Sequence, residues 1–394
     1  MTDVTLPPQI MTSDPDSFAR HTILERKPQI IRQVIADNGY PSEVNIALDN
    51  LCNEIATLSI QPLQESAADV GFWNAEVSKF SEKTWLEIPW YFAETYFYRK
   101  VLETIGYFQS GERNGCDPFE KQKRGQIDND IQKLAVEWEQ LSALEPETRF
   151  EALLHSCLWG NRADLSNFTV TEKGRGGLAA HTERHLILID HTEDILNLLS
   201  DGAYSIDFIC DNVGSDLLFD LALTDFLLEM GWVKEIHLNL KKQPFFVSDA
   251  MPKDVLLTID KLQNTQEPAM QAWGKRLKNY LSDRRLILET DQFWTTHLMF
   301  RQMPENLRQS MARSAVVLIK GDVNYRRLLD DRSWPHTTSM ESICSYFPAP
   351  FGTLRTLKGE IMVGLEAGQA EELQANDPTW LINGKRGVIQ LVVP

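Results

Sequence analysis

The sequence predicts an α/β protein: a mostly parallel sheet covered by helices on both faces, preceded by a helical part. Two observations carry this expectation. Up to about residue 160, apolar residues recur at three- and four-residue intervals, the period of amphipathic helices. After about residue 180, short β-rich runs alternate with helix-length amphipathic segments, the rhythm of strands joined by crossover helices. The expected division is a mainly helical subdomain over residues 1–180 and a layered α/β domain over residues 181–394.

In chain order, Ser42–Ser59, Thr84–Gly106 and Gln126–Leu144 carry the helical period. Ser42 and Glu43 after Pro41, and Ser81 with Thr84 ahead of Trp85, are helix-start signals. The aromatic residues Trp85, Trp90, Tyr91, Phe92, Tyr96, Phe97 and Tyr98 either line a ligand groove or pack a core. Core packing is the expectation, because aromatics dominate core burial. Residues Gln109–Lys123 read as a loop. Strands are expected at Ser205–Cys210, Val233–Leu240, Pro244–Val247, Arg285–Leu288, Ser314–Ile319, Ile361–Leu365 and Gly387–Val393. Helices are expected at Leu217–Met230, Pro252–Gln263 and Ala269–Leu281, and no internal repeat is evident.

Composition excludes several function classes. With 394 residues, 39 Lys+Arg against 56 Asp+Glu and a formal charge of −17, non-specific binding to nucleic acid or anionic lipid is disfavoured. A local basic pocket for a small anion stays open. No run reaches the ~18–20 apolar residues of a membrane span. The first residues, MTDVTLPPQIMTSDPDSF, lack the basic and apolar pattern of a leader. Cys52, Cys116, Cys157, Cys210 and Cys344 form no CxxC pair, so reduced thiols in a cytoplasmic protein are expected.

In an open parallel sheet, ligands bind on the loops that leave the carboxyl ends of strands. Three such places carry polar residues, and a fourth feature lies on an extended segment near the C-terminus. After the run ending at Cys210, Asp211 and Asn212 are hard oxygen donors suited to a divalent ion, and Asp216 either joins them or complements the helix dipole. The alternative is plain helix capping by Asp211 and Asn212. Asp249 closes a second apolar run, 38 residues after Asp211, about one strand–helix–strand unit, so neighbouring strands can present both carboxylates to one ion. Here too capping, by Ser248 or Asp249, is the alternative. The third place is Lys320-Gly321-Asp322 with Asn324, Tyr325 and Arg326, where glycine permits close approach and the cations suit a phosphate ester. Fourth, alternation in Arg355-Thr356-Leu357-Lys358 puts Thr356 and Lys358 on one side, able to hold a phosphoryl group. Other patterns fail: His181 and His185 lack the adjacent Glu of a metalloprotease helix, and Gly174-Arg175-Gly176-Gly177 lacks the P-loop pattern. Cys210 is best read as a strand-end thiol.

Taken in order, Gly160–Ser166 (GNRADLS), Asp211-Asn212, Asp249, residues 320–326 (KGDVNYR) and 355–358 (RTLK) resemble the metal-dependent damage-control phosphatases, in the branch with an RTxK signature that includes acidic-residue methyltransferase-like proteins. The resemblance implies a Rossmann-like three-layer α/β/α catalytic domain behind an N-terminal helical subdomain. It implies metal ligation by Asp211, Asn212 and Asp249, and substrate contacts from Asp322, Asn324, Tyr325, Arg326 and Lys358. It further implies hydrolysis of sugar phosphates such as fructose 1-phosphate or fructose 6-phosphate with Mn²⁺, Ni²⁺, Co²⁺ or Mg²⁺. Asp216 stands where that branch carries Glu.

The chemistry is consistent with that implication. A divalent ion polarises a phosphoryl oxygen and acidifies water, while Lys358, Arg326, Lys320, Arg355 and Thr356 offset or orient the anionic group. Asp322 and Asn324 suit sugar hydroxyls, and Asp216 or Asp249 can accept the proton. Direct attack by water is the preferred route over an aspartyl-phosphate. Two alternatives are an S-adenosylmethionine-dependent protein carboxyl methyltransferase, poorly served by the single glycine in DNVGSD, and a non-catalytic sugar-phosphate-binding protein. The expected partner is a small phosphorylated metabolite, with no nucleic acid or membrane. The oligomeric state, physiological substrate and native metal stay open.

Overall fold

The computed structural model describes residues 6–160 and 184–393. Asn161–Ser166 of the GNRADLS stretch, Gly174–Gly177 and His181 lie outside the described residues. After short helical turns at Phe18–His21 and Thr22–Arg26, the helical part continues with α1 (Lys27–Asn38), α2 (Ser42–Thr57), α3 (Val70–Ser78) and α4 (Trp90–Ile105). Helix α4 is buried over almost its whole length, and its aromatic side chains form one core with Trp73 and Trp85. Phe245 and Phe246, from the far half of the chain, complete that core and so join it to the sheet. Helices α5 (Glu120–Ser142) and α6 (Pro146–Trp159) instead bury Ile127, Ile131, Phe150 and Leu154 in the core shared with the sheet.

Seven strands form one sheet: β1 (Ile187–Asp190), β2 (Ala203–Ile209), β3 (Val233–Leu240), β4 (Leu286–Thr290), β5 (Val317–Lys320), β6 (Phe351–Thr356) and β7 (Gly387–Val392), in the order β1-β7-β6-β5-β2-β3-β4. Strands β6, β5, β2, β3 and β4 are mutually parallel, whereas β7 runs antiparallel to β6 and parallel to β1. Crossover helices explain the parallel pairing: α7 (Thr192–Ser200) links β1 to β2, α8 (Ser215–Glu229) links β2 to β3, and α9 (Pro252–Gln263) with α10 (Pro268–Ser282) links β3 to β4. The four residues of β5 are all buried, Leu318 in one core cluster and Val317 and Ile319 in the other, so helices cover both faces. The fold is therefore Rossmann-like α/β.

Two expected strands are absent. Residues 244–248 turn instead of extending, with Phe246 in the left-handed region at φ 55°, and Asn212 and Asp249 meet as an isolated antiparallel bridge. Residues 361–365 are a loop whose Ile361, Met362 and Val363 are apolar because they are buried in the core, not because they pair. Strand β1 has no counterpart among the expected strands, and β6 was legible only as an extended segment. Short apolar runs do not separate a strand from a buried loop by periodicity.

From β2 the chain proceeds outward to β3 and β4, then returns to place β5 on the other side of β2. The carboxyl ends of β2 and β5 thus flank a topological switch point, where open α/β sheets form ligand crevices.

Candidate active site at the switch point

A cavity of about 290 Å³ opens at this switch point, lined from the sheet side by Asp211, Asn212, Asp216, Ser248, Asp249, Lys320, Gly321, Asp322, Thr356 and Lys358. The loop after β2 supplies the floor. Asn212 Nδ2 donates to Asp211 Oδ2 at 2.9 Å and to Asp216 Oδ2 at 3.0 Å, and Ser248 Oγ donates to Asn212 Oδ1 at 2.6 Å. Backbone bonds lock the two loops together: Ala250 N–H donates to Asp211 O at 2.8 Å and Val213 N–H to Ser248 O at 2.7 Å.

None of these polar residues caps a helix. The N-cap of α8 is Gly214, and the Ser215 N–H is satisfied by Asp130 Oδ2 at 2.8 Å. The N-cap of α9 is Met251, whose N–H donates to Asp254 Oδ2 at 2.9 Å. Capping therefore does not account for Asp211, Asn212, Ser248 or Asp249.

The cluster is electrostatically strained. Desolvation, then the neighbouring Asp249 and Asp216, push Asp211 well above the usual carboxylate range. Desolvation raises Asp249 to about 6, against the opposing Lys241 ammonium at 3.3 Å. Gly321 explains how the loop after β5 approaches so closely: it has φ 84°, and a Cβ there would sit 2.0 Å from Asp211 Oδ2. A Cβ at Gly160 would likewise fall 1.6 Å from Asp216 Oδ1.

Other expected residues divide in two. Lys320 lines the cavity, but its ammonium is bound to Asp220 Oδ1 at 2.5 Å; burial works against its charge, and Asp220 more than offsets that. Asp322 lines it while accepting from Arg355 Nε at 2.7 Å and Lys358 N–H at 3.4 Å. Thr356 lines it and donates to Leu158 O at 2.9 Å. Lys358 is exposed, and among the described residues its ammonium makes no ion pair.

Asn324, Tyr325, Arg326 and Arg355 stand behind this lining. Asn324 Nδ2 donates to the carbonyls of Cys210 and Lys320, and the Tyr325 hydroxyl donates to Gln390 Oε1 at 3.1 Å. Arg326 pairs with Asp331 at 2.7 Å. Arg355 holds Asp322 and the carbonyls of Gly359 and Ile361. Tyr325 and Arg355 are committed to the scaffold, whereas Asn324 Oδ1 and the two terminal nitrogens of Arg326 are buried without a hydrogen-bond partner among the described residues.

The opposite wall comes from the helical part, where no site residue is expected beyond the ligand-groove alternative for the aromatic run: Thr22, Arg26, Trp90, Glu94 and Tyr98 line the cavity. Trp90 and Tyr98 belong to the aromatic run expected to pack a core, as Trp85, Tyr91, Phe92, Tyr96 and Phe97 do. A usable signal existed for Glu94: a charge set inside the aromatic run WYFAETYFY has no solvent face to occupy. Lys241 and Asp220, which pair with Asp249 and Lys320, carried no comparable signal.

The donors fit a hard divalent cation on this structure's own terms. Two desolvated, mutually repelling carboxylates and an amide oxygen gain from a positive charge between them. Among the described residues, no group of three or more His, Cys, Asp or Glu has metal-holding geometry, so the amide of Asn212 has to count as a donor.

An acidic floor facing amine groups, at the switch point of a Rossmann-like sheet, has the donors and charges that a divalent cation and an anionic ester require. A crystal structure of a DUF89-family protein from Pyrococcus horikoshii shares the fold, with a TM-score of 0.51, 14% identity and coverage of 94% of this chain and 96% of that one. The chain belongs to the damage-control phosphatase ARMT1-like family, whose domain matches residues 22–373. Damage-control phosphatase ARMT1 of Rattus norvegicus is 31% identical over 436 residues, spanning 98% of this chain and 99% of its own. The Danio rerio protein of the same name is 30% identical over 441 residues, spanning 99% and 98%. The chain is accordingly a metal-dependent phosphatase of the damage-control type. Among the described residues no helix is long and apolar enough to cross a membrane.

Proposed function

We propose that this cavity hydrolyses small sugar phosphates of the fructose 1-phosphate or fructose 6-phosphate type, with Asp211, Asn212 and Asp249 holding Mn²⁺, Ni²⁺, Co²⁺ or Mg²⁺. The observation that carries the reading is the convergence of those three residues beside Lys358 on one cavity. A bound divalent cation supplies positive charge at the phosphoryl oxygens and acidity toward water.

The chain's own groups do the rest. Lys358 Nζ, beside the acidic floor, is the cation we assign to the phosphoryl oxygens, since Lys320 is already paired and Arg26 stands on the opposite wall. Asp216 is the better proton acceptor, because Asp249 is tied to Lys241 whereas Asp216 is only half-buried and receives one amide donor from Asn212. Asp322 keeps the Lys358 backbone in place through its N–H. Among the described residues the loop after β2 does not favour methyl transfer: Gly214, its one glycine, faces Gln126 and Asp130, with a Cβ there 2.6 Å from Gln126 Cγ.

The test is Asp211→Ala assayed for phosphate release from fructose 6-phosphate in Mn²⁺. Loss of release in a folded variant is expected, and full activity removes Asp211 from the site. Saturable binding of the sugar phosphate by the unaltered protein without release, in any of the four metals, would favour a binding protein instead.

A further inference from the structure

We infer that Glu94 is a specificity residue that accepts a hydrogen bond from hydroxyl groups on the alcohol part of the substrate, an assignment that rests on the phosphatase reading of the same cavity. Glu94 lies on α4, is 4% exposed and lines the cavity on the wall supplied by the helical part. Its Oε1 receives the ammonium of Lys27, which is itself fully buried and stands 4.8 Å from the ring centre of Phe97 and 4.7 Å from that of Tyr98. Its Oε2 is buried and has no hydrogen-bond partner among the described residues.

A buried carboxylate oxygen without a donor is unfavourable, and a donor brought in by a ligand relieves it. An ionised carboxylate only accepts, so the incoming group has to donate; a phosphoryl or carboxylate group would be repelled. On the proposed reading the phosphoryl end lies at Lys358, beside the acidic floor and opposite the wall that carries Arg26 and Glu94. What reaches Glu94 is then the neutral hydroxylated remainder. Trp90 and Tyr98 line the same wall, and Trp90 is fixed by Arg326 at 3.7 Å over its ring and by its Nε1–H donating to Thr22 Oγ1 at 2.7 Å. Aromatic faces beside an acidic acceptor suit the C–H and O–H surfaces of a polyol.

The experiment compares kcat/KM for fructose 6-phosphate and for phenyl phosphate, which has no hydroxyl on its alcohol part, within each protein sample. The ratio does not depend on how much of a sample is folded. In Glu94→Gln the ratio is expected to fall about tenfold, equivalent to about 1.4 kcal/mol. Because that variant leaves Lys27 without its partner, the double variant Lys27→Met/Glu94→Gln is measured alongside, and the same fall is expected there. An unchanged ratio in either folded variant overturns the assignment while leaving the phosphatase reading intact. If the unaltered protein releases phosphate from neither ester, the phosphatase reading fails and takes this assignment with it.

Discussion

Replacing Gly321 by alanine separates backbone strain from damage to the site. Gly321 has φ 84°, and a Cβ built there lies 2.0 Å from Asp211 Oδ2 and 2.4 Å from its Cγ. Non-bonded carbon contacts settle at about 3.5–4.0 Å, so the Asp211 carboxylate has to withdraw by more than ~1 Å. The left-handed backbone itself costs about 1–2 kcal/mol for an L-residue. Gly231 provides the control: it has φ 69°, nothing lies within 4 Å of its Cβ position, and it is exposed at the turn between α8 and β3. Gly231→Ala should lose only the strain energy, read as a lower denaturant midpoint at unchanged slope. Gly321→Ala should lose at least as much stability and, in addition, kcat/KM by roughly 10²-fold, since misplacement of a reacting group by about 1 Å has that effect. Phosphate release with saturating Mn²⁺, alongside urea unfolding of both variants, measures the two quantities. Gly321→Ala within about threefold of the unaltered kcat/KM, or equal losses of activity in both variants, would refute the claim that Gly321 exists to admit Asp211.

Lys358→Ala should raise KM for the sugar phosphate by about tenfold or more, because among the described residues no other ion pair occupies that ammonium; steady-state kinetics checks it. Mn²⁺ added to chelated protein should raise Tm with concentration, by about 2.7 kcal/mol of stability at a hundred times Kd, and Asp249→Asn should shrink that shift in a thermal melt. His297, stacked near Phe72 and beside Glu76 at 3.1 Å, is lowered by burial to about 4. Its folded value lies below the unfolded one, so the unfolded chain binds the proton first and stability is lost as pH falls below about 6.5. Between pH 7.5 and 5.5 the loss due to His297 should be about 1.4 kcal/mol, compared by urea unfolding with His297→Gln, in which that part of the pH dependence disappears.

Strand ends and the parity of an extended segment were the legible part of this site. A run such as Ser205–Cys210 announces its own end, so Asp211 and Asn212 could be placed on the correct loop without any knowledge of the sheet order. Parity also worked at Thr356 and Lys358, which line the cavity while Arg355 and Leu357 are buried. Asp249 reaches the cavity by another route than the expected strand end: no strand precedes it, and a turn at residues 244–248 carries it to Asn212. Apart from Glu94, the helical wall was illegible because Thr22, Arg26 and Trp90 meet the sheet side only through tertiary packing, such as Phe245 and Phe246 in the aromatic core and Arg326 over Trp90. Local periodicity contains no information on which buried aromatic also borders a cavity. Arg355 shows the converse: a cation near a strand end looks available to an anion until its partners, Asp322 and the carbonyls of Gly359 and Ile361, are known.

Those partners give the two basic motifs a common physical purpose. Arg355 donates from Nε to Asp322, from its other nitrogens to the carbonyls of Ile361 and Gly359, and its guanidinium lies 4.2 Å from the ring centre of Tyr325. Asp322 in turn accepts the Lys358 N–H, so the segment after β6 is fastened to the helix after β5 by one carboxylate. Arg326 extends the same framework outward, pairing with Asp331 and covering Trp90 of α4 at 3.7 Å. A flexible Lys358 on a loose loop would lose side-chain and backbone entropy each time it engaged an anion. Fastening its backbone in advance removes much of that cost, leaving only the side chain to be ordered. On the proposed function the arginines would serve anion binding without touching the anion, while the same buried cations hold the wall carrying Trp90 and Glu94 in register with the floor.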